Sequence, residues 1–185
     1  MKDILTGRLV RLAAFDPEEV GKSFSTWTRD SEYWRLMDAG AAFMPSAKDA
    51  VKHFEKEVEE LNADSYFFAV RTIPEDNLIG EMVLEVVNWT GRDAFVGLSI
   101  GGRDNWDKGY GTEMVNLLLR FAFTEVNLRR VTLTVFEYNP RAIRVYEKVG
   151  FRHEGRERKS LNREGRRWDM VFMGILREEW LELNQ

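Results

Sequence analysis

Two glycines one residue apart, Gly109 and Gly111, stand between a strand-like segment and a long amphipathic helix. Glycine permits backbone dihedral angles that other residues avoid, so consecutive N–H groups at such a turn can point toward one anion. The following helix adds the positive end of its dipole. The segment therefore predicts an anion-binding loop or a tight strand-to-helix turn, and the glycine pair alone does not separate the two.

The residues after the glycines have the periodicity of a helix that packs on a sheet by one face. Its apolar positions are Met114, Val115, Leu118, Leu119 and Ala122. Neither common nucleotide motif is present. The chain has no G-x-x-x-x-G-K-[ST] sequence, and Met114 stands where a dinucleotide loop has its third glycine. This spacing argues against ATP, GTP and NAD.

Composition excludes several kinds of site. The chain has no cysteine, which excludes disulfides, thiolate metal sites and a cysteine nucleophile. Its two histidines, His53 and His153, have no second ligand at metal-site spacing, so no metal is expected. A formal charge of −4 without a long Lys/Arg block argues against nucleic acid as a partner and slightly favours a cationic substrate.

The size and hydropathy of the chain fit one globular domain. Its 185 residues, 44% of them hydrophobic, are enough for one core, and we predict a single domain over residues 1–185. The N-terminus lacks an apolar run of signal-peptide length, and no window approaches a membrane span. We therefore expect a cytoplasmic protein without a membrane partner.

The order of the predicted elements is mixed α/β. Helices are predicted to begin at Asp16 and Ser46, and Asn139 and Gly150 bound a later one. The helix after Ser46 carries the apolar stripe Ala47, Val51, Phe54, Val58 and Leu61. Strands are predicted at 8–12, 66–71, 78–87, 94–100, 131–136, 152–159 and 168–175. The aromatic-rich segment 27–44 is interpreted as a cover for the core or as a substrate entrance.

Three segments, 106–113, 139–151 and 164–174, together resemble the GNAT N-acetyltransferase superfamily, and specifically the subgroup with ribosomal-protein N-terminal acetyltransferases and spermidine acetyltransferases. The resemblance covers nearly the whole chain. Trp106 replaces the first residue of the general superfamily pattern. The implied fold is α/β (α+β): a mixed central sheet of about seven strands with an antiparallel first half, splayed strands 4 and 5, and about four flanking helices.

The resemblance implies that acetyl-coenzyme A is the cosubstrate and lies between the splayed strands. Its pyrophosphate is expected on the N–H groups of Lys108, Gly109, Tyr110, Gly111 and Thr112, and its pantetheine arm beside Leu98, Ser99 and Ile100. Asn139 and Ala142 are the other expected cofactor-binding residues. Asn139 is equally well explained as a helix cap.

Tyr146 resembles the family's proton donor for the departing thiolate, although its spacing also fits a tyrosine that faces the core. The general base is not assigned. Many relatives carry a glutamate where this chain has Phe95. Glu81, Glu85 and Ser99 are interpreted as ordinary strand residues, and water suffices as the base for an α-amine whose pKa is about 8.

The sequence thus predicts an acetyl-CoA-dependent N-acetyltransferase in which an amine attacks the bound thioester directly in a ternary complex. The acceptor is a protein N-terminus, a polyamine or another small amine such as an aminoglycoside. The alternative is a non-catalytic acyl-CoA-binding module of the same fold. The oligomeric state is left open, a homodimer included.

Overall fold

The computed structural model describes residues 3–60 and 64–184. The first half of the chain forms β1 (Val10–Ala14), α1 (Pro17–Trp27), α2 (Ser31–Met37), α3 (Ala47–Glu60), β2 (Ser65–Thr72), β3 (Leu78–Asn88) and β4 (Asp93–Ile100). The second half forms α4 (Tyr110–Thr124), β5 (Arg130–Phe136), α5 (Pro140–Lys148), β6 (Arg152–Arg163), β7 (Arg166–Leu176) and α6 (Arg177–Leu183).

All seven strands join one sheet in the order β1-β2-β3-β4-β5-β7-β6. Every neighbouring pair is antiparallel except β4 and β5, which are parallel. The predicted mixed sheet with an antiparallel first half is confirmed. Helix α4 supplies the crossover that a parallel connection requires.

The parallel strands β4 and β5 separate after three residue pairs. Asp93, Ala94 and Phe95 pair with β5, whereas the remaining five residues of β4 have no partner on that side. The rest of β5 continues to pair with β7 alone. A wedge therefore opens between the carboxyl ends of β4 and β5, as the predicted splay of strands 4 and 5 requires.

The helix starts follow from local capping. The Asp16 carboxylate accepts the N–H groups of Glu18 and Glu19 and begins α1 with Pro17 at its first position. The Ser46 hydroxyl accepts the N–H of Asp49 at 3.2 Å ahead of α3. Such side chains satisfy N–H groups that the first helical turn leaves free.

The described residues contain six α-helices, which corrects the prediction of about four. Helix α2 lies inside the aromatic segment 27–44, and α6 follows the last strand. Each has only seven residues, which is too short for a periodic apolar stripe to distinguish it from a connecting segment. Leu61, predicted for the stripe of α3, lies outside the described residues.

The core has two parts. The larger lies between the sheet and the helices α4 and α5, and the smaller lies beneath α1, α2 and α3 around Phe24 and Phe54. The aromatic segment contributes buried Tyr33 to the smaller part, whereas Phe43 and Met44 are 56% and 69% exposed. The segment therefore covers the core through α2 and leaves its second half on the surface. None of the helices in the described ranges is long and apolar enough to cross a membrane.

Candidate active site

The wedge between β4 and β5 opens into a cavity of about 770 Å³. The cavity wall includes all but one of the residues predicted to bind the cofactor or act in catalysis: Leu98, Ser99, Ile100, Gly109, Tyr110, Gly111, Thr112, Asn139, Ala142 and Tyr146. Lys108 is the exception and lies exposed on the loop. The structure thus brings together residues from β4, the glycine loop and α5 that are up to 48 positions apart in the chain, from 98 to 146.

The glycine loop has the backbone expected of an anion site. Gly109 has a φ of 86° and stands at the N-cap of α4, and Asp107 also has a positive φ, of 59°. Within the described residues, the N–H groups of 107–112 donate to no protein acceptor. They are therefore free to bind an anion at the positive end of the α4 dipole.

Two contacts hold this loop in place. The indole Nε1 of Trp106 donates to the carbonyl of Ile100 at 2.9 Å, which ties the loop to the end of β4. The guanidinium of Arg141 lies 4.3 Å from the centre of the Trp106 ring and 3.5 Å from an Asp107 carboxylate oxygen. Trp106, which departs from the general family pattern, is thus a structural anchor in this chain.

Gly111 has a different role from Gly109. A Cβ added at Gly111 would meet only Ile100 and Val145, at 3.5 and 3.6 Å, which is ordinary contact. The protein interior therefore does not require glycine at 111. A larger side chain at position 111 would instead occupy the cavity, where the sequence predicts the pyrophosphate.

Helix α5 supplies Asn139, Ala142 and Tyr146 to the cavity. The Asn139 side chain accepts the N–H of Ala142 at 3.1 Å, so the helix-cap interpretation of Asn139 is confirmed. Tyr146 is buried and its ring contacts Phe151, yet it also lines the cavity. Burial raises the pKa of Tyr146 to about 12, which keeps the phenol protonated at neutral pH.

The opposite side of the cavity carries Glu81, which the sequence predicts to be an ordinary strand residue. Glu81 lies on β3 directly opposite Ser99 of β4, and both line the cavity. Burial raises the pKa of Glu81 to about 7, and the Coulombic effect of Glu57 acts in the same direction, while a hydrogen bond from Ser99 opposes the rise. A carboxyl group in such an environment is a candidate for proton transfer at neutral pH.

A hydrogen-bond chain holds this carboxyl group. The hydroxyl oxygens of Tyr33 and Ser99 lie 2.7 Å apart, and Ser99 in turn bonds to Glu81. When Glu81 is ionised, its carboxylate only accepts hydrogen bonds, so in that state the Ser99 hydroxyl donates to Glu81 and Tyr33 donates to Ser99. Burial raises the pKa of Tyr33 well above its usual range, which keeps this phenol a donor.

The two sides of the cavity differ in charge. We call the side formed by the loop 107–112 and α5 the loop wall, and the side formed by Tyr33, His53, Glu57, Glu81 and Ser99 the acidic wall. On the acidic wall, Glu57 lies on α3 within 3.7 Å of His53, and burial raises the pKa of its carboxyl. The loop wall adds the cations Arg141, Arg144 and Lys148.

The pairing register of the structure, rather than a local sequence motif, identifies Glu81. Residues directly opposite each other on antiparallel strands share a face of the sheet. Ser99 was expected beside the cofactor, and the β3–β4 hairpin places Glu81 opposite it. Glu85 pairs with Phe95 further along and does not line the cavity. No cluster of three or more potential metal ligands occurs in the part of the chain that the structure describes.

Comparison with known proteins identifies the family. The model of the acetyltransferase (GNAT) domain matches residues 10–152. The chain is 32% identical over 181 residues to the SPbeta prophage-derived uncharacterized N-acetyltransferase YokL of Bacillus subtilis, a match that covers 97% of this chain and 96% of YokL. The chain therefore belongs to the GNAT acetyltransferase family.

Two further similarities come from Vibrio cholerae. The chain is 32% identical over 118 residues to its spermidine N(1)-acetyltransferase, covering 62% of this chain and 68% of that enzyme. The crystal structure of spermidine N-acetyltransferase in complex with CoA and spermine superposes with a TM-score of 0.79 at 24% identity, covering 93% of this chain and 98% of that one. That structure confirms the fold.

The family membership and the named relatives make this chain an acetyl-CoA-dependent N-acetyltransferase. They give no support to the alternative of a non-catalytic binding module. The prediction of enzyme class from the sequence is confirmed.

Proposed function

We propose that this enzyme transfers the acetyl group of acetyl-CoA to a cationic primary amine, which attacks the thioester directly in a ternary complex. One observation supports the proposal most strongly. The open β4–β5 wedge, the free N–H groups of the glycine loop and Tyr146 all lie at one cavity of about 770 Å³. The chain has no cysteine to carry a covalent acyl group.

The loop wall is assigned to acetyl-CoA. The N–H groups of 108–112 are proposed to bind the pyrophosphate, with Arg141 and Arg144 providing positive charge nearby. The free edge of β4 at Leu98, Ser99 and Ile100 is proposed to pair with the amide groups of the pantetheine arm. Asn139 and Ala142 line the path of that arm.

Tyr146 is proposed to hydrogen-bond and protonate the departing thiolate. With its pKa raised to about 12, Tyr146 is a weaker acid than a tyrosine in water. A thiol has a pKa of about 8.5 in water, but the same dry environment also disfavours the thiolate and raises that value. Burial therefore keeps the donor protonated and makes the thiolate a stronger acceptor.

The acidic wall is assigned to the acceptor. Glu57 and Glu81 give this side of the cavity negative charge, while Phe24, Tyr33 and Trp34 give it an aromatic surface. Carboxylates and aromatic faces both attract ammonium groups. Peptide N-termini, polyamines and aminoglycosides share such groups, and the named spermidine acetyltransferase among the relatives supports the inclusion of polyamines.

A coenzyme A-release assay against peptides with free N-termini, polyamines and aminoglycosides tests the proposal. We expect release with at least one primary amine and none with the same compound acetylated in advance. The Gly111→Glu variant serves as the control, because its side chain would occupy the proposed anion site. Absence of release across the panel, with acetyl-CoA binding intact, would contradict the proposed reaction.

A further inference from the structure

We infer that Glu81 is the general base of the reaction and takes the proton from the acceptor's ammonium group. The inference rests on the proposed function and assigns the one role that the sequence left open. A carboxyl group on β3 reaches the same cavity as the proposed thioester site, and hydrogen bonds through Ser99 and Tyr33 hold it there.

Glu81 lies close to the proposed position of the thioester. It pairs across the sheet with Ser99, which belongs to the free edge of β4 beside the proposed thioester. Phe95 stands four residues before Ser99, on the part of β4 that is paired with β5. Many relatives carry a glutamate at the position of Phe95. In this chain, Glu81 on the neighbouring strand places a carboxylate at the open part of the wedge.

The environment of Glu81 suits a group that accepts a proton near neutral pH. A base must be ionised in an appreciable fraction of molecules yet basic enough to accept a proton, and burial raises the pKa of Glu81 to about 7. The group is fixed through Ser99 and Tyr33. The other groups of the acidic wall are Glu57 and His53 on α3, and the opposing strand β2 presents Ala69.

The remaining ionisable groups of the cavity lie on other elements. They are Asp38 after α2, Asp107 and Tyr110 at the loop, and Arg141, Arg144 and Lys148 on α5. Asp107 is paired with Arg141 at 3.5 Å. Of the carboxyl groups that line the cavity, Glu81 is the one hydrogen-bonded to β4 at the open wedge.

The proton balance of the reaction is complete with these groups. The ammonium gives one proton to the Glu81 carboxylate, and the neutral nitrogen forms the C–N bond at the thioester carbonyl carbon. As the C–S bond breaks, the thiolate takes the proton of Tyr146. The nitrogen loses its second proton, which restores Tyr146 through solvent, and Glu81 releases its own proton to water.

The test compares wild type with Glu81→Gln across pH in the coenzyme A-release assay, with spermidine and a free-amino peptide as probes. At pH 7 we expect the variant to lose about 100-fold in turnover, within the usual contribution of a general base. The loss should be larger for spermidine, since lysine-like amines have a pKa near 10.4 and α-amines near 8.

The pH profile separates a base from a structural residue. Wild-type turnover should fall below about pH 7, the pKa of Glu81, and level off above it. Turnover of Glu81→Gln should instead keep rising toward the pKa of the amine. Glu85→Gln is the matched control, because Glu85 lies on the same strand outside the cavity wall and should keep the wild-type profile.

The outcomes distinguish this inference from the proposed function. Wild-type release with Glu81→Gln within twofold, or with an unchanged profile, overturns the base and leaves the transferase intact. No release by wild type with any amine overturns both. Calorimetric titration with acetyl-CoA shows that the variant is folded, since its affinity should stay within threefold of wild type.

Discussion

The two walls of the cavity are built in different ways. The loop wall comes from consecutive residues, 107–112, and the first turns of α5, whereas the acidic wall gathers Tyr33, Glu57, Glu81 and Ser99 from four separate elements. One wall offers N–H groups and cations, and the other offers carboxylates. Under the proposed assignment, this difference in charge directs the anionic acetyl donor to the loop wall and a cationic acceptor to the acidic wall.

The two buried tyrosines allow the sharpest test of this difference. Tyr146→Phe removes only the hydroxyl proposed to protonate the thiolate, and we expect turnover to fall about 100-fold with the melting temperature preserved. Tyr33→Phe removes a hydroxyl that acts through Ser99, so its effect should be smaller. Steady-state turnover with a saturating amine is the measurement, and unchanged turnover of Tyr146→Phe would remove this residue from the mechanism.

The acidic wall should destabilise the folded protein as pH rises. The carboxyl of Glu81 titrates near 4.5 when unfolded and at about 7 when folded. Between these values the folded state holds a proton that the unfolded state has lost, so the stabilisation present below pH 4.5 is lost as pH rises to 7. We expect Glu81→Gln to gain about 3 kcal/mol over wild type across this window.

Urea unfolding of both proteins at pH 5 and pH 8 measures that difference. Glu85→Gln is again the control, because Glu85 lies on the same strand outside the cavity wall, and it should follow wild type at both values. A gap between wild type and Glu81→Gln that does not widen with pH would show that Glu81 titrates normally.

Substitutions of the two loop glycines should differ in their effect on the stability of the folded protein. Gly109 has a φ of 86°, so Gly109→Ala is expected to cost about 1 kcal/mol of unfolding free energy. Gly111→Ala adds a Cβ in ordinary contact at 3.5 Å and should unfold like wild type. Thermal unfolding of the two variants makes the comparison, and equal losses would contradict the separate roles.

The smallest expected effects are opposite shifts of one pH profile. Ser99→Ala removes the hydrogen bond that lowers the pKa of Glu81, so the acid limb of turnover should move to higher pH. Glu57→Gln removes a charge that raises this pKa, so the limb should move to lower pH. Shifts in the same direction would contradict the arrangement of the acidic wall.

The contrast between the walls also explains what the sequence could predict. The glycine loop, the cap at Asn139 and the position of Tyr146 follow from local motifs, and the structure places all of them around the wedge. Helix α2 and the acidic wall depend on contacts between distant elements, such as Tyr33 with Ser99 at 2.7 Å. Local periodicity does not reveal those contacts, and the pairing of Glu81 with Ser99 also depends on a register shift between Val86 and Asn88.

The most direct test of the divided cavity is a calorimetric titration of acetyl-CoA into wild type, Gly111→Glu and Glu81→Gln under one set of conditions. The account predicts that Gly111→Glu loses measurable binding, because a carboxylate then occupies the anion site of the loop wall. Glu81→Gln should bind within threefold of wild type. Undiminished affinity of Gly111→Glu, or loss of binding in Glu81→Gln, would contradict the assignment of acetyl-CoA to the loop wall.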